Sequence, residues 1–378
     1  MNTSKTALKK HLIKLGFKFG LSPEKIEERL YKMMGESRYN DYRSIADMGY
    51  EEGRTPHMLY EFPDNKNEAL MLMSLDIEPA WESYHAISQD LQRLPNSDVR
   101  VIDLGCGLGG LTSWIAQVLP EATVIGVDRN DKLISYAQEL NKNTPADYRV
   151  WDYDDNWQSD DGLFDVMICR FGIDFDGREG RYDIGYDSYR DTEHYRVKYE
   201  EADKYFKAWS RVANTGCNLY ACLRMPHTAH GLALVDCAHA NGWALKIDES
   251  RFLSVEGERF PYLRFVFDSS DAVDENCFIS WWMADDLSSS VSRELADDLA
   301  LQMYRSLSPK DVIKKEHVNY PDGNVLEVEL GHCRVFSYVY CHTTRAYARL
   351  YMFARFEAHT AEAKFQGLLQ QYGYRKNT

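Results

Sequence analysis

From Val99 onward, short apolar runs alternate with helical segments, which predicts an α/β domain on a doubly wound, mostly parallel sheet. Two further observations support this. A glycine-rich turn follows the first of these runs, and the last two runs have no long helix between them, so the sheet should end antiparallel.

Residues 1–96 read as an N-terminal helical region. "TALKKHLIKLG" spaces its apolar residues helically and stops at Gly16. "LSPEKIEERLYKMMG" opens with Ser22 as N-cap and Pro23 at the first helical position, and closes at Gly35. "KNEALMLMSLDI" and "AWESYHAISQDLQRL" predict two more helices. The lysines of the first helix are its solvated face.

The core, residues 97–270, begins with "VRVIDLG", "LTSWIAQVL", "ATVIGVD", "KLISYAQEL" and "YRVWD". It continues through "FDVMICRFG", "DKYFKAWSRVA", "CNLYACLRM" and "GLALVDCAHANG". From Thr192 a helix is expected to carry Tyr195, Tyr199, Phe206 and Trp209 on one core-facing side and to end at Gly216. "WALKIDESRFLSV" and "PYLRFVFDS" form the antiparallel end. After about Ser270 an α+β cap is expected over residues 271–378. "SSSVSRELADDLALQMYRSL" reads as a helix striped by Val291, Leu295, Leu299 and Met303. Strands "VNYPDGNVLEVEL", "RVFSYVYC" and "RAYARLYMFARF" follow, with a turn at Pro321-Asp322-Gly323.

The formal charge of −15 argues against a nucleic-acid substrate, whose non-specific binding rests on clustered Lys and Arg. Eight cysteines without a C-x-x-C pair, and no signal peptide or long apolar run, predict a cytoplasmic protein with no membrane span. "GHCRVFSYVYCH" brings two His-Cys pairs to notice. On one extended strand its ends would lie about 30 Å apart, so a strand with core thiols and no metal is expected.

"VIDLGCGLGG" is strand, glycine turn and helix start. Gly105, Gly107 and Gly110 satisfy G-x-G-x-x-G, while Gly105, Gly107 and Gly109 satisfy G-x-G-x-G, so the glycines alone leave the nucleotide open. Asp103, two residues before the first glycine, would repel a pyrophosphate but favour the sulfonium and ammonium of S-adenosylmethionine.

On these residues the chain resembles the class I S-adenosylmethionine-dependent methyltransferases over roughly residues 97–268. "VIDLGCGLGGLT" is similar to their first motif, implying cofactor contacts from Asp103, Gly105, Cys106, Gly107 and Gly109. "VIGVDRN" resembles the second-strand motif, implying that Asp128 takes the ribose hydroxyls with Arg129 beside it. "YRVWDYDD" resembles the third-strand end, implying Asp152 at the adenine amino group and Tyr153 alongside. "FDVMICRFGIDF" resembles the fourth strand of the ubiquinone- and menaquinone-biosynthesis branch, implying Arg170 and Phe171 beneath the methionine part. The implied cofactor is S-adenosylmethionine.

Methyl transfer is an in-line displacement governed by positioning, helped by a base where the acceptor bears a proton. His227 follows the fifth strand and His194 the fourth; both are candidate bases, ahead of His230. The stretch 174–190 reads as a lid whose Tyr182, Tyr186 and Tyr189 would touch substrate. The expected activity is methylation at O or N of a small or medium-sized metabolite. A protein or peptide acceptor, and a regulatory protein that has lost turnover, stay open, as does homo-oligomerisation.

Overall fold

The computed structural model describes residues 5–52, 58–78, 80–94, 98–153, 157, 162–174, 190, 193–225, 228–255, 258–268, 278, 281–282, 293–307, 310–320, 323–333, 336–343, 348–354 and 358–372. The chain divides into two compact units. One comprises Met1–Glu179, Val197–Pro226 and Leu234–Ala272; the other comprises Gly180–Arg196, His227–Ala233 and Val273–Thr378.

The first unit opens with α1 (Lys5–Leu15), α2 (Pro23–Met34), α3 (Glu36–Glu52), α4 (Met58–Glu61), α5 (Lys66–Ile77) and α6 (Trp81–Leu91). Helices α3 and α4 are not among those expected from the sequence, and Ser22 precedes α2 without a side-chain cap bond. Asn65 does cap α5, accepting the amides of Asn67 and Glu68. Glu68 in turn is buried and accepts both guanidinium arms of Arg38, which ties α3 to α5.

Next come β1 (Arg100–Leu104), α7 (Gly110–Val118), β2 (Thr123–Asp128), α8 (Asp131–Leu140), β3 (Asp147–Val150) and β4 (Phe164–Asp174). They are followed by α9 (Glu193–Ser210), β5 (Ala213–Arg224), α10 (Thr228–Ala240), β6 (Trp243–Leu245), β7 (Arg251–Val255) and β8 (Glu258–Phe267). Parallel pairing gives the order β3-β2-β1-β4-β5, and β8 runs antiparallel beside β5, with β6 and β7 antiparallel to β8. Both faces are covered, so β1 reads as a continuous buried run from Val101 to Leu104. Succession runs outward from β1 to β3, then crosses to β4. That reversal opens a crevice at the carboxyl ends of β1 and β4.

Helix α7 is almost wholly buried because α1 packs on it. His11 Nε2 lies 2.9 Å from Ser113 Oγ, and Leu12 and Phe17 crowd Gly110. One boundary needs correction: α9 ends at Ser210 and β5 begins at Ala213, before Gly216. Pairing of β5 with β4 takes over there, and Gly216 at φ +78° lies in the extra length of β5 where the register shifts. Phe206 and Trp209 are core, as expected, whereas Tyr195 and Tyr199 are only half-buried.

The second unit carries a five-stranded antiparallel sheet, ordered β10 (Asp311–Asn319), β11 (Val325–His332), β12 (Phe336–Thr343), β13 (Ala348–Ala354) and β9 (Arg293–Ala296). One face holds Val328, Leu330, Val339 and Phe353 against Phe365, Leu368 and Leu369 of a C-terminal helix, Ala358–Gln371. Two expectations fail. Arg293–Ala296 is a strand, and the helix starts at Asp297, because backbone pairing with β13 outweighs the helical spacing of Leu295 and Leu299. The run Gly331–His342 is not one extended strand. It folds back between β11 and β12, pairing Gly331 with Tyr338 and Cys341 with Val328.

Candidate functional site

Asp103 stands at the end of β1, 2% exposed. Its Oδ2 accepts the Thr112 hydroxyl at 2.6 Å, from the first turn of the buried helix α7. Burial pushes its carboxyl up to about 6, the nearby Asp128 adds to this, and Thr112 and the Arg170 charge oppose it. The loop after it turns on Gly105, Gly107 and Gly109, at φ +73°, +54° and +70°. Its start is pinned to β2, since the amides of Gly105 and Cys106 both donate to the Val127 carbonyl at 2.9 Å. A Cβ on Gly105 would come within 2.7 Å of the Gly172 Cα, and one on Gly172 within 2.5 Å of the Leu104 carbonyl oxygen. The ends of β1 and β4 therefore approach as only glycines permit.

At the end of β2, Asp128 receives the Gly107 amide on Oδ2 at 3.0 Å and the Asn130 amide on Oδ1 at 2.9 Å. Asn130, not Asp128, is the side-chain cap of α8. Burial raises the Asp128 carboxyl, and these two amides oppose the rise. Cys106 is a thiol pushed well up, by burial first and then by the neighbouring carboxylates Asp103 and Asp128, so it is no nucleophile. Arg129, next after Asp128 in the chain, is exposed.

Beyond β3, Asp152 is exposed and Tyr153 half-buried. The Tyr153 ring meets Trp151, Tyr205 and Trp209 edge-on at 5.0, 5.3 and 6.0 Å, forming an aromatic wall between β3 and α9. At the end of β4, the Arg170 guanidinium lies 4.0 Å over the Tyr84 ring of α6 and donates to its hydroxyl at 2.9 Å. Phe171, at φ +56°, packs against Phe260 at 5.3 Å.

The expected cofactor residues thus gather on adjacent strand ends, Asp103 and Asp128 around the glycine loop. The acceptor side is less complete. His227, Tyr182, Tyr186 and Tyr189 lie outside the described residues, as does the side chain of His194 in the first turn of α9. His230, in the first turn of α10, is buried. Among the described residues no cluster of three or more His, Cys, Asp or Glu is arranged to hold a metal, and no helix is long and apolar enough to cross a membrane.

The N-terminal helices also bring residues to this edge. Met73 of α5 sits 3.0 Å from where a Gly107 Cβ would be. The Tyr60 carbonyl accepts from Asn130 Nδ2 at 3.0 Å, and the Glu61 carbonyl accepts from Lys132 at 3.2 Å. Tyr84 holds Arg170. No short motif marks these residues, because each acts through a tertiary contact.

Residues 101–181 match the model of a methyltransferase domain. The matched region holds the glycine loop, Asp103, Asp128, Asp152 and Arg170, so S-adenosylmethionine is the cofactor to which this domain is suited. A proposed methyltransferase, 235L, of Invertebrate iridescent virus 6 is 33% identical over 75 residues, 20% of this chain and 27% of that protein. The tRNA (guanine-N(7)-)-methyltransferase of Botryotinia fuckeliana is 40% identical over 52 residues, 14% of this chain and 18% of that one. The chain spans less than half the length of the curated relatives it matches. Among solved structures, the magnesium protoporphyrin IX methyltransferase of Synechocystis, with bound SAH, aligns with 18% identity and a TM-score of 0.35, covering 52% of this chain and 87% of that one. The pyocyanin biosynthetic protein PhzM aligns with 15% identity and a TM-score of 0.38, covering 61% and 70%. The strand order of the first unit, with its antiparallel strand β8 beside β5, is that of the class I methyltransferase fold.

Proposed function

We propose that this protein is an S-adenosylmethionine-dependent methyltransferase acting at O or N of a small or medium-sized metabolite. One observation carries the reading: a buried carboxylate, Asp103, lies behind a loop of three left-handed glycines. A phosphate-bearing nucleotide would meet repulsion there, whereas a sulfonium nucleoside meets attraction.

Asp128, held by the Gly107 and Asn130 amides, takes the ribose hydroxyls. Asp152 reads the adenine amino group, with Tyr153 and Arg129 flanking the ring. The backbone of Gly105, Cys106, Gly107 and Gly109 gives way to the cofactor's bulk. Arg170 and Phe171 form the floor under the methionine part, the trait that favours the ubiquinone- and menaquinone-biosynthesis branch. The cofactor supplies an activated methyl. The protein aligns the acceptor with it, and His227 or His194 takes the acceptor's proton. Tyr182, Tyr186 and Tyr189 of the 174–190 stretch are the proposed acceptor contacts. The division into a helical region 1–96, a core 97–270 and a cap 271–378 belongs to the same reading, as does a cytoplasmic setting.

The acidic chain supports a metabolite acceptor over nucleic acid. The test is incubation with cell extract and methyl-labelled S-adenosylmethionine, with products sorted by size. Label in the small-molecule fraction supports the proposal; label only in protein or RNA overturns the metabolite assignment.

A further inference from the structure

The charge of the Arg170 guanidinium favours the Asp103 carboxylate, and Tyr84, which holds that guanidinium, lies outside the matched methyltransferase region. Tyr84 is 6% exposed on α6 and faces Arg170 with both its ring and its hydroxyl. The Phe171 ring lies 5.3 Å from the same guanidinium, and Phe260 packs against Phe171. An arginine side chain free in a crevice would sample many rotamers; this one contacts two rings and donates to the Tyr84 hydroxyl.

We infer that Tyr84 is a positioning residue of the cofactor site, holding Arg170 where its charge keeps Asp103 ready for a cationic ligand. The inference rests on the methyltransferase reading and extends it to the N-terminal helices, which become part of the site. The groups facing Asp103 are Arg170 from β4, Asp128 from β2, Cys106 in the loop and Tyr148 from β3. Arg170 alone among them favours the carboxylate; Asp128 opposes it, and Cys106 and Tyr148 are neutral when protonated. Losing the grip on Arg170 therefore lets Asp103 hold its proton to higher pH. Binding of a cationic cofactor should then weaken at a higher pH than in the wild type.

The test is calorimetric titration of the full chain with S-adenosylmethionine between pH 5 and 8, for wild type, Tyr84→Phe and Tyr84→Leu. Wild-type affinity should fall as pH drops through about 6, where Asp103 takes a proton. Tyr84→Leu removes stacking and hydroxyl together; it should weaken binding roughly 10-fold at pH 7 and move the midpoint upward. Tyr84→Phe keeps the ring and should show about 3-fold weakening with a smaller movement. A merely structural tyrosine would leave the midpoint unmoved. Both variants matching wild type in affinity and midpoint would overturn the inference, and Tyr84→Phe decides alone if the leucine variant does not melt cooperatively. If the wild type itself takes up no S-adenosylmethionine, the methyltransferase reading fails, and this inference with it.

Discussion

Glu329 in the second unit and Asp103 in the first are equally buried, each 2% exposed, yet their surroundings differ. Glu329 Oε1 accepts the hydroxyls of Tyr304 and Tyr338, both at 2.8 Å, and Lys315 Nζ stands 3.8 Å from Oε2. Both tyrosines are pushed well up, by burial first and then by these bonds to Glu329, so they remain protonated donors. Among the described residues, Asp103 is bonded by Thr112 alone and no cation lies within ion-pair distance. A buried carboxylate surrounded by donors holds a fold together. One left short of cations at a strand end is held at a cost that a cationic ligand offsets.

The largest contrast should come from neutralising each acid. Asp103→Asn should weaken S-adenosylmethionine binding at least about 100-fold, the loss of a buried opposite charge. The same change should stabilise the protein without cofactor. A carboxyl raised from 3.8 to about 6 on folding makes a contribution to wild-type stability that is fully present below pH 4 and lost as pH rises through 6. Urea denaturation should therefore show a gain of up to about 3 kcal/mol at pH 8 and almost none at pH 4. Glu329→Gln should do the reverse, lowering stability by about 2 kcal/mol and leaving cofactor affinity within about twofold. If both variants destabilise alike, the distinction fails.

Asp128→Ala should follow, with about 30-fold weaker cofactor binding by calorimetry and little change in melting temperature. Unchanged affinity would refute the ribose assignment. The smallest effects separate two left-handed glycines. Gly109→Ala places a methyl against the Tyr148 ring at φ +70° and should cost roughly 3 kcal/mol. Gly20→Ala, at φ +71° with nothing within 4 Å, should cost only about 1 kcal/mol. Equal losses in thermal melts would show that backbone strain alone, not closeness to β3, governs the loop.

Much of the first unit was legible because its signals are local. Apolar runs gave the strands, Asp103 gave the charge sign, and the glycines gave the turn. Tyr84, Met73 and Tyr60 were not legible, since helices from outside the motifs carry them in by tertiary packing. The second unit misled for a related reason. Leu295 sits at helical spacing, yet the open edge of β13 recruits Arg293–Ala296 as a strand. The fold-back of Gly331–His342 is not legible in the sequence because no proline or glycine marks it beyond Gly331 itself.

The most direct test of the poised carboxylate is calorimetric titration of wild type and Asp103→Asn with S-adenosylmethionine at pH 8. One-to-one binding by the wild type, lost in the variant while the variant resists urea better, is the predicted result. Equal binding by both proteins, or no heat from the wild type at millimolar cofactor, would contradict it.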